Sequence, residues 1–558
     1  MNDPSDPSDP SDPSDPSSHA ATSDMETDYV VGQDNIEGQL GPFGFDVHNR
    51  VFIVSALASL VFIILTLLFP ARAGALFQTI VSFATGTLDW YFMLVVDFFI
   101  LFCVVLIVSP YGSVRLGGPD ARPDYHYLSW FAMLFAAGIG IGLLFFGVLE
   151  PVYHANVSLP LGIASPFGAD GALNPEAIPE ATALGLAGTY LHWGIHGWAV
   201  YVVMALALSI FTYNKGLPFS IRSAFFPILG DRVWGWWGHV IDILAVFSTL
   251  FGLATSLGLG AQQANAGMNF VFGLEVSAAA QVIIILLVTA VALVSVWRGL
   301  DGGVKKLSEF NMIMAVLFFF FVLLAGPTLV AMSGFWTGLT TYVTEFVPLS
   351  APFGREDDAY RQDWTIFYWA WWISWAPFVG MFIARVSRGR TIREFVICVL
   401  IIPSLFIFIW MGVVGSTALD QLYASPETSL VKAYVIDTYS PELSLFGMLN
   451  ELPLTGLMST IAIVLALIFF VTSSDSGSLV IDTITAGGKI DAPRTQRMFW
   501  AVVEGLIAIV LLLGGGLSAL QAGVTATAIP FSIVMLLMCY SIIKALNGEL
   551  RLGASKLR

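Results

Sequence analysis

Apolar residues run in long blocks along most of the chain, with polar residues in short clusters between them. A half-buried strand would alternate, and a soluble helix would show a 3.6-residue stripe. Blocks of about 20 apolar residues instead have the length of a helix that crosses hydrocarbon. Twelve spans are expected near 51–69, 89–108, 127–148, 186–212, 239–259, 279–297, 309–330, 364–384, 394–414, 455–474, 498–513 and 524–543. The pattern predicts an all-α polytopic membrane protein. Residues 216–237 and 331–349 mix apolar, aromatic and polar side chains. They read as interfacial amphipathic segments or bent connections.

Composition agrees. Hydrophobic residues make up 56% of the 558, charged residues 11%, and the mean hydropathy is +0.79. A soluble domain carries about 25% charge, so a soluble enzyme is excluded. Aromatics at 13% exclude disorder of the whole chain. Cys103, Cys398 and Cys539 lie in apolar runs and suggest neither a disulfide framework nor metal spacing.

The net charge of −16 is unevenly spread. The first 50 residues hold Asp3, Asp6, Asp9, Asp12, Asp15, Asp24, Glu26, Asp28, Asp34, Glu37 and Asp46 against Arg50 alone. Residues 3–17 repeat Asp-Pro-Ser five times. Such composition predicts a disordered acidic tail over 1–50, a solvated leader with regulation as the alternative. No basic region followed by a short apolar core precedes the first span, so no cleaved signal is expected. Nothing in the charge supports nucleic-acid binding.

The bases report topology. With the N-terminus inside, 20 of the 24 Lys and Arg fall on inner segments, and only Arg72, Arg355, Arg361 and Lys432 fall outside. Positive charge collects on the cytoplasmic side. A miscounted span would spoil the bias, so both termini are expected in the cytoplasm.

Two spans look interrupted. The third holds Ala136-Ala137-Gly138-Ile139-Gly140-Ile141-Gly142, and the eighth holds Trp375-Ala376-Pro377-Phe378-Val379-Gly380. Interrupted spans at matching places in two halves point to a secondary transporter's binding site. These are five apart, which suggests inverted five-helix repeats. Close packing through the Gly138/Gly142 pair is the competing reading.

Aromatics supply candidate chemistry. Trp90, Trp130, Trp234, Trp236, Trp237 and Trp336 suit interfacial belts by position. Trp193, Trp198 and Tyr201 in span 4, and Trp369, Trp371, Trp372 and Trp375 in span 8, do not. Several aromatic faces around a cavity cage a quaternary ammonium; packing alone is the other reading. His192 and His196 have metal-ligand spacing without a third ligand nearby in sequence. Asp475 is an intramembrane acid, read as functional or as a helix cap.

The run Asp363-Trp364-Thr365-Ile366-Phe367-Tyr368-Trp369-Ala370-Trp371-Trp372-Ile373-Ser374-Trp375 resembles the eighth-helix signature of the betaine/choline/carnitine transporter family. The match continues through Gly380 to Phe395, and includes His192-Trp193 to Tyr201, Ser256 to Gly260 and the span-3 glycines. The resemblance covers roughly 50–545. It implies a LeuT-type inverted-repeat fold, with 51–126 as two peripheral helices, 127–349 and 350–543 as the repeats, and 544–558 as a short cytoplasmic tail. It implies a homotrimer in a bacterial inner membrane and no cofactor besides a coupling Na⁺.

By resemblance, Trp193, Trp198, Tyr201, Trp371, Trp372 and Trp375 line the substrate site. Ser256 and the backbone at Ala137 and Gly140 meet a carboxylate. The carbonyls of Ala136, Ile139 and Phe469 and the hydroxyls of Thr472 and Ser473 match one sodium site. Thr249 and Phe378 match a second, where Leu253 replaces a family hydroxyl and cannot ligate. The expected activity is Na⁺-coupled import of a zwitterion such as glycine betaine or dimethylsulfoniopropionate. Choline import and sodium-independent exchange are the rivals within the family, a channel and a membrane enzyme those outside it. No convergent catalytic set is present. Osmosensing members have a long basic tail, which this short one does not resemble.

Overall fold

In the computed structural model, residues 25, 27–41, 43–138, 140–298 and 304–556 are described. The Asp-Pro-Ser repeat lies outside them. A hairpin, β1 (Asn35–Leu40) and β2 (Phe43–His48), precedes a series of helices. These are α1 (Val51–Leu68), α2 (Pro70–Gly86), α3 (Asp89–Val108), α4 (Tyr127–Gly138), α5 (Ile141–Tyr153), α6 (Ile178–Trp193), α7 (Ile195–Ser209) and α8 (Trp236–Phe272). After them come α9 (Ala278–Arg298), α10 (Val304–Ala325), α11 (Thr328–Thr344), α12 (Ile366–Val386), α13 (Ile392–Ala424), α14 (Thr455–Thr485), α15 (Arg494–Gly515) and α16 (Leu517–Lys556).

Among the described residues, eleven stretches are long and apolar enough to cross a bilayer. Hydrocarbon offers the backbone no partners, so apolar blocks close their own hydrogen bonds as helices. The third expected span is divided. α4 and α5, of 12 and 13 residues, meet at Gly140, whose backbone is extended (φ −149°, ψ −173°). End to end they reach about 38 Å at 1.5 Å per residue, enough for one more crossing.

Burial ranks the spans. In the most apolar windows, 94% of α6–α7, 78% of the α12 span and 72% of α8 is buried, against 33% of α1 and α9 and 22% of α10. The first group forms the centre. The second turns Leu57, Val61, Ile64, Ile313, Leu317 and Leu324 outward, a surface suited to lipid.

Several expectations need correction. The eighth span is not broken: α12 runs continuously through Pro377. Proline removes one hydrogen bond, but a helix packed on all sides tolerates that inside a bilayer. The fourth span is kinked instead, at Gly194 (φ −97°, ψ −139°). α2 was not expected. Residues 331–349 agree with a bent connection: α11 ends at Thr344, the chain turns at Glu345 and a short helix resumes at Phe346, while α11 packs on α6 and α13 with Gly334 against Ser416. Trp130 is no belt residue: it is buried, donates to Ser387 Oγ (3.0 Å) and lies under Arg390.

The acidic tail is not disordered as far as residue 50. β1 and β2 pair in register from Asn35–His48 to Leu40–Phe43 and dock on the α14–α15 turn. Lys489 Nζ donates to Asp46 (2.6 Å) and Glu37 (3.0 Å), and Asn35 Nδ2 donates to the Ala486 carbonyl (2.9 Å). At the other edge Arg222, paired with Asp242 (2.5 Å), donates to His48 Nε2 (3.3 Å).

Burial, together with the Arg222 guanidinium, pushes His48 down to about 3. An undocked histidine titrates near 6.5. The neutral form is therefore favoured by docking. That stabilisation is complete above pH ~6.5 and is lost as pH falls from there towards 3. Hydrogen exchange at residues 35–48, corrected for intrinsic rates, is expected to accelerate between pH ~6.5 and ~5. His48→Asn should flatten that change; an unaltered acceleration would assign it to another group.

Candidate functional site

The centre of the molecule is an aromatic cluster assembled by α5, α7 and α12. Trp193 sits at the end of α6, beside the Gly194 kink. Trp371 and Trp372 are stacked (5.9 Å, 11°), and Trp193 meets Trp372 edge-on at 5.3 Å. Tyr201 packs against Trp372 (5.7 Å) and Trp198 (5.4 Å), and Trp375 against Trp371 (6.4 Å). All six aromatics implied by the resemblance thus belong to one connected set.

Glycines make room for it. A Cβ at Gly142 would lie 2.4 Å from the Trp193 ring, and one at Gly252 2.7 Å from Trp375. The span-3 glycines therefore break the helix at Gly140 and admit an indole at Gly142.

Three polar atoms in the cluster are buried with no protein partner: Trp371 Nε1, Trp375 Nε1 and Tyr201 OH. An indole N–H left dry and unpaired is unfavourable. These are donors available to an anionic or polar ligand group. Ser256 is buried one turn beyond Gly252 on α8, its hydroxyl donating to the Gly252 carbonyl (3.3 Å). A cavity of about 350 Å³ lies beside the cluster, lined by Phe146, Trp364 and Phe367 but by none of the six aromatics themselves. Phe367 stacks on Trp371 at 5.4 Å. Its other walls come from α2, the end of α5 and the start of α16.

The expected sodium residues are partly visible. Ala136 and Ala137 lie in the last turn of α4, and Ile139 lies outside the described residues. A Cβ at Gly260 would sit 2.9 Å from Ile141 and 3.6 Å from Phe470, so the start of α5 and the 469–473 stretch of α14 approach the same point on α8. Phe469 is buried, and Thr472 Oγ1 donates to the carbonyls of Ile468 (3.0 Å) and Phe469 (3.2 Å). Ser473 is half-buried on the same helix. At the second site Thr249 donates to Ala245 O (2.9 Å), and Phe378 packs on Trp375 (5.3 Å). Leu253 packs its methyls against Gly477, where a Cβ would be 2.1 Å away. Hydrocarbon fills that interface.

His192 and His196 do not face one ligand, because the Gly194 kink separates them. His196 turns to Ser350 Oγ (2.9 Å) and stacks on Trp369. Asp475 is not a cap: it lies inside α14 and pairs with Arg497 of α15.

Sequence reasoning missed the largest polar feature. Glu150, wholly buried on α5, has four polar side-chain partners. Its Oε1 faces His192 Nδ1 (2.5 Å) and His154 Nε2 (3.1 Å), and its Oε2 accepts from Trp193 Nε1 (2.7 Å) and Tyr368 OH (2.6 Å). Glu150, His154 and His192 bring ligand atoms within 4.8 Å of one another. The remaining ring nitrogens meet Ser158 (2.6 Å) and Thr365 (2.9 Å). Every group is already hydrogen-bonded, so the set is a closed polar knot rather than an open metal centre. The signal was an acid and a histidine at i,i+4 at a span's end, the same reasoning applied above to Asp475.

Residues 50–551 match the model of the BCCT, betaine/carnitine/choline family transporter. A glycine betaine/proline/choline transporter of Vibrio parahaemolyticus is 50% identical over 538 residues, covering 96% of each chain. Glycine betaine transporter 1 of the same organism is 51% identical over 94% of this chain and 97% of its own. The glycine betaine transporter OpuD of Bacillus subtilis is 43% identical over 85% and 90%. Among solved structures, a manganese transporter of Eremococcus coleocola matches with 14% identity and a TM-score of 0.37 over 79% of this chain and 82% of its own. The chain is a multi-pass membrane transporter, not an enzyme, and belongs to the betaine/carnitine/choline transporter family.

Proposed function

We propose that the protein imports a quaternary-ammonium or tertiary-sulfonium zwitterion, glycine betaine or dimethylsulfoniopropionate, by symport with Na⁺. The observation that carries the substrate class is the aromatic cluster with its three unpaired donors. Ring faces attract a diffuse cation, and N–H and O–H groups suit the carboxylate end. Glycine betaine stands in the names of five relatives, and choline in two of those five. Choline lacks the carboxylate that the free donors would meet, which favours the zwitterion.

Sodium is assigned to the α4–α5 break and the Phe469–Ser473 stretch of α14, where oxygen ligands suit a hard cation. Binding there ties the broken helix to α14, and the α12-containing core then moves against the remainder. The basic ends face the cytoplasm of a bacterial inner membrane, and the outward apolar helices leave room for a homotrimer. One Na⁺ crossing ~100 mV supplies about 2.3 kcal/mol, or roughly 40-fold accumulation of a neutral zwitterion.

Labelled betaine uptake into proteoliposomes at fixed pH and voltage tests this. Replacing external Na⁺ by K⁺ is expected to abolish accumulation, whereas unchanged uptake overturns sodium coupling. Competition among betaine, dimethylsulfoniopropionate and choline should rank choline last.

A further inference from the structure

We propose that Glu150 is the positioning residue of the aromatic cluster and sets its preference for a cationic head group. The inference rests on the cluster being the substrate site.

A carboxylate only accepts hydrogen bonds. Buried in a membrane protein, it is costly unless its lone pairs are met by donors. Glu150 Oε2 accepts from the Trp193 indole and the Tyr368 hydroxyl, and Oε1 faces two imidazole nitrogens that donate in the tautomers whose other nitrogens accept from Ser158 and Thr365, all 3.1 Å or shorter. A glutamine of the same shape would turn an NH₂ towards donors on one side. The site is therefore built for a charge.

Two donors are ring edges of the cluster itself. Trp193 and Tyr368 converge on the same oxygen, and their rings lie 5.5 Å apart at 65°. Phe146 packs against both, at 6.0 and 5.6 Å, and also forms the cavity wall. Trp193 continues to Trp372, whose indole N–H donates to the His192 carbonyl (2.7 Å). His192 is itself bonded to Glu150. One carboxylate thus fixes the tilt of three rings through bonds to Trp193, Tyr368 and His192.

The charge also acts through those bonds. Hydrogen bonds in a low dielectric polarise one another. An N–H or O–H donated to an anion leaves its ring more electron-rich, which strengthens attraction to a cation over its face. The carboxylate stays covered by the rings. A large, weakly hydrated ammonium head benefits from its field, while a bare inorganic cation gains no ligand. That separates the organic cation from the coupling ion.

The test uses the full-length protein in proteoliposomes. Glu150→Gln is expected to raise the half-saturation concentration for betaine about tenfold, equivalent to ~1.4 kcal/mol, with maximal rate within about twofold. The advantage of betaine over 3,3-dimethylbutanoate, its carbon isostere with an uncharged head group, in competition should narrow by the same factor. Glu150→Asp keeps the charge, shortens the reach and should fall between. A fall in maximal rate alone, with affinity and the isostere ratio unchanged, overturns the proposal.

Ring order can be read without any substrate. In 5-fluorotryptophan-labelled protein, the ¹⁹F resonance removed by Trp193→Phe should shift or broaden in Glu150→Gln. A native-like resonance overturns positioning whether or not betaine is transported. Absence of betaine uptake by the native protein, with the resonance shifted as expected, sinks the substrate assignment and with it the head-group preference. Should Glu150→Gln fail to fold, Tyr368→Phe, which removes one donor from the shared oxygen, must move the same resonance; no movement overturns the proposal.

Discussion

Trp375→Leu is expected to weaken betaine uptake by about 30-fold in half-saturation concentration, while Trp90→Leu leaves it within twofold. The first figure follows from losing one desolvated ring face, worth ~2 kcal/mol to a bound cation. Trp375 lies against Gly252 and edge-on to Trp371, with an unpaired indole N–H. Trp90 is 43% exposed and donates to the Thr87 carbonyl (3.1 Å) at the start of α3. Both substitutions remove an indole from a membrane helix, so a general packing loss would affect them alike. Trp375→Phe separates the two functions of the ring. It retains a face and loses the N–H, and should recover most of the cation affinity but not the carboxylate contact. Equal losses in Trp375→Leu and Trp90→Leu, at equal folded yield, would leave packing as the role of the aromatic cluster.

The spans were legible because hydropathy alone decides them: a block of 20 apolar residues has few alternatives to crossing the bilayer. The aromatic positions were legible because α12 presents Trp371 and Trp375 at i,i+4 on one face. Helix breaks were less so. Glycine and proline permit a break but do not compel one. Gly140 and Gly194 interrupt their helices, whereas Pro377 sits in a helix packed from end to end. α2 escaped notice because Pro70, Arg72, Gln78 and its glycines dilute its hydropathy. The hairpin is masked by the acid count of the tail, although its alternation marks it. Phe43, Phe45 and Val47 alternate after the dipeptide Gly41-Pro42, a strand pattern in an otherwise acidic tail. Glu150 was hidden for a different reason. Only His154 is near it in sequence, at i,i+4; the other partners come from α6 and α12, 42 and 218 positions away, and no local spacing records those contacts.

Asp475→Asn is expected to lower the stability of the folded transporter by about 3–5 kcal/mol, the usual cost of leaving one member of a buried pair alone. Arg497 Nη2 donates to both the carboxylate and the backbone carbonyl of Asp475, across the α14–α15 interface. Both side chains are nearly inaccessible. The neighbourhood sharpens the effect. Glu504, seven residues beyond Arg497 on α15, is fully buried, and neither of its carboxylate oxygens has a protein partner. Asp482, seven residues beyond Asp475 on α14, is buried as well. Arg497 is the base that pairs with Asp475, so neutralising its guanidinium should be harsher than neutralising Asp475. Thermal melts in detergent should therefore rank native above Asp475→Asn above Arg497→Gln. Replacing both partners by apolar residues, Asp475→Leu with Arg497→Met, should recover part of the loss, because no charge of the pair is then stranded. A functional acid predicts a different pattern. Asp475→Asn would then melt like the native protein and lose transport alone, and the double substitution would recover nothing. The position of Asp475 just past Thr472 and Ser473 makes the distinction useful: a weakened α14–α15 seam would loosen the helix that carries the proposed sodium hydroxyls. Sodium affinity should then fall in proportion to the loss of melting temperature across the variants, which a direct ligand role for Asp475 does not require.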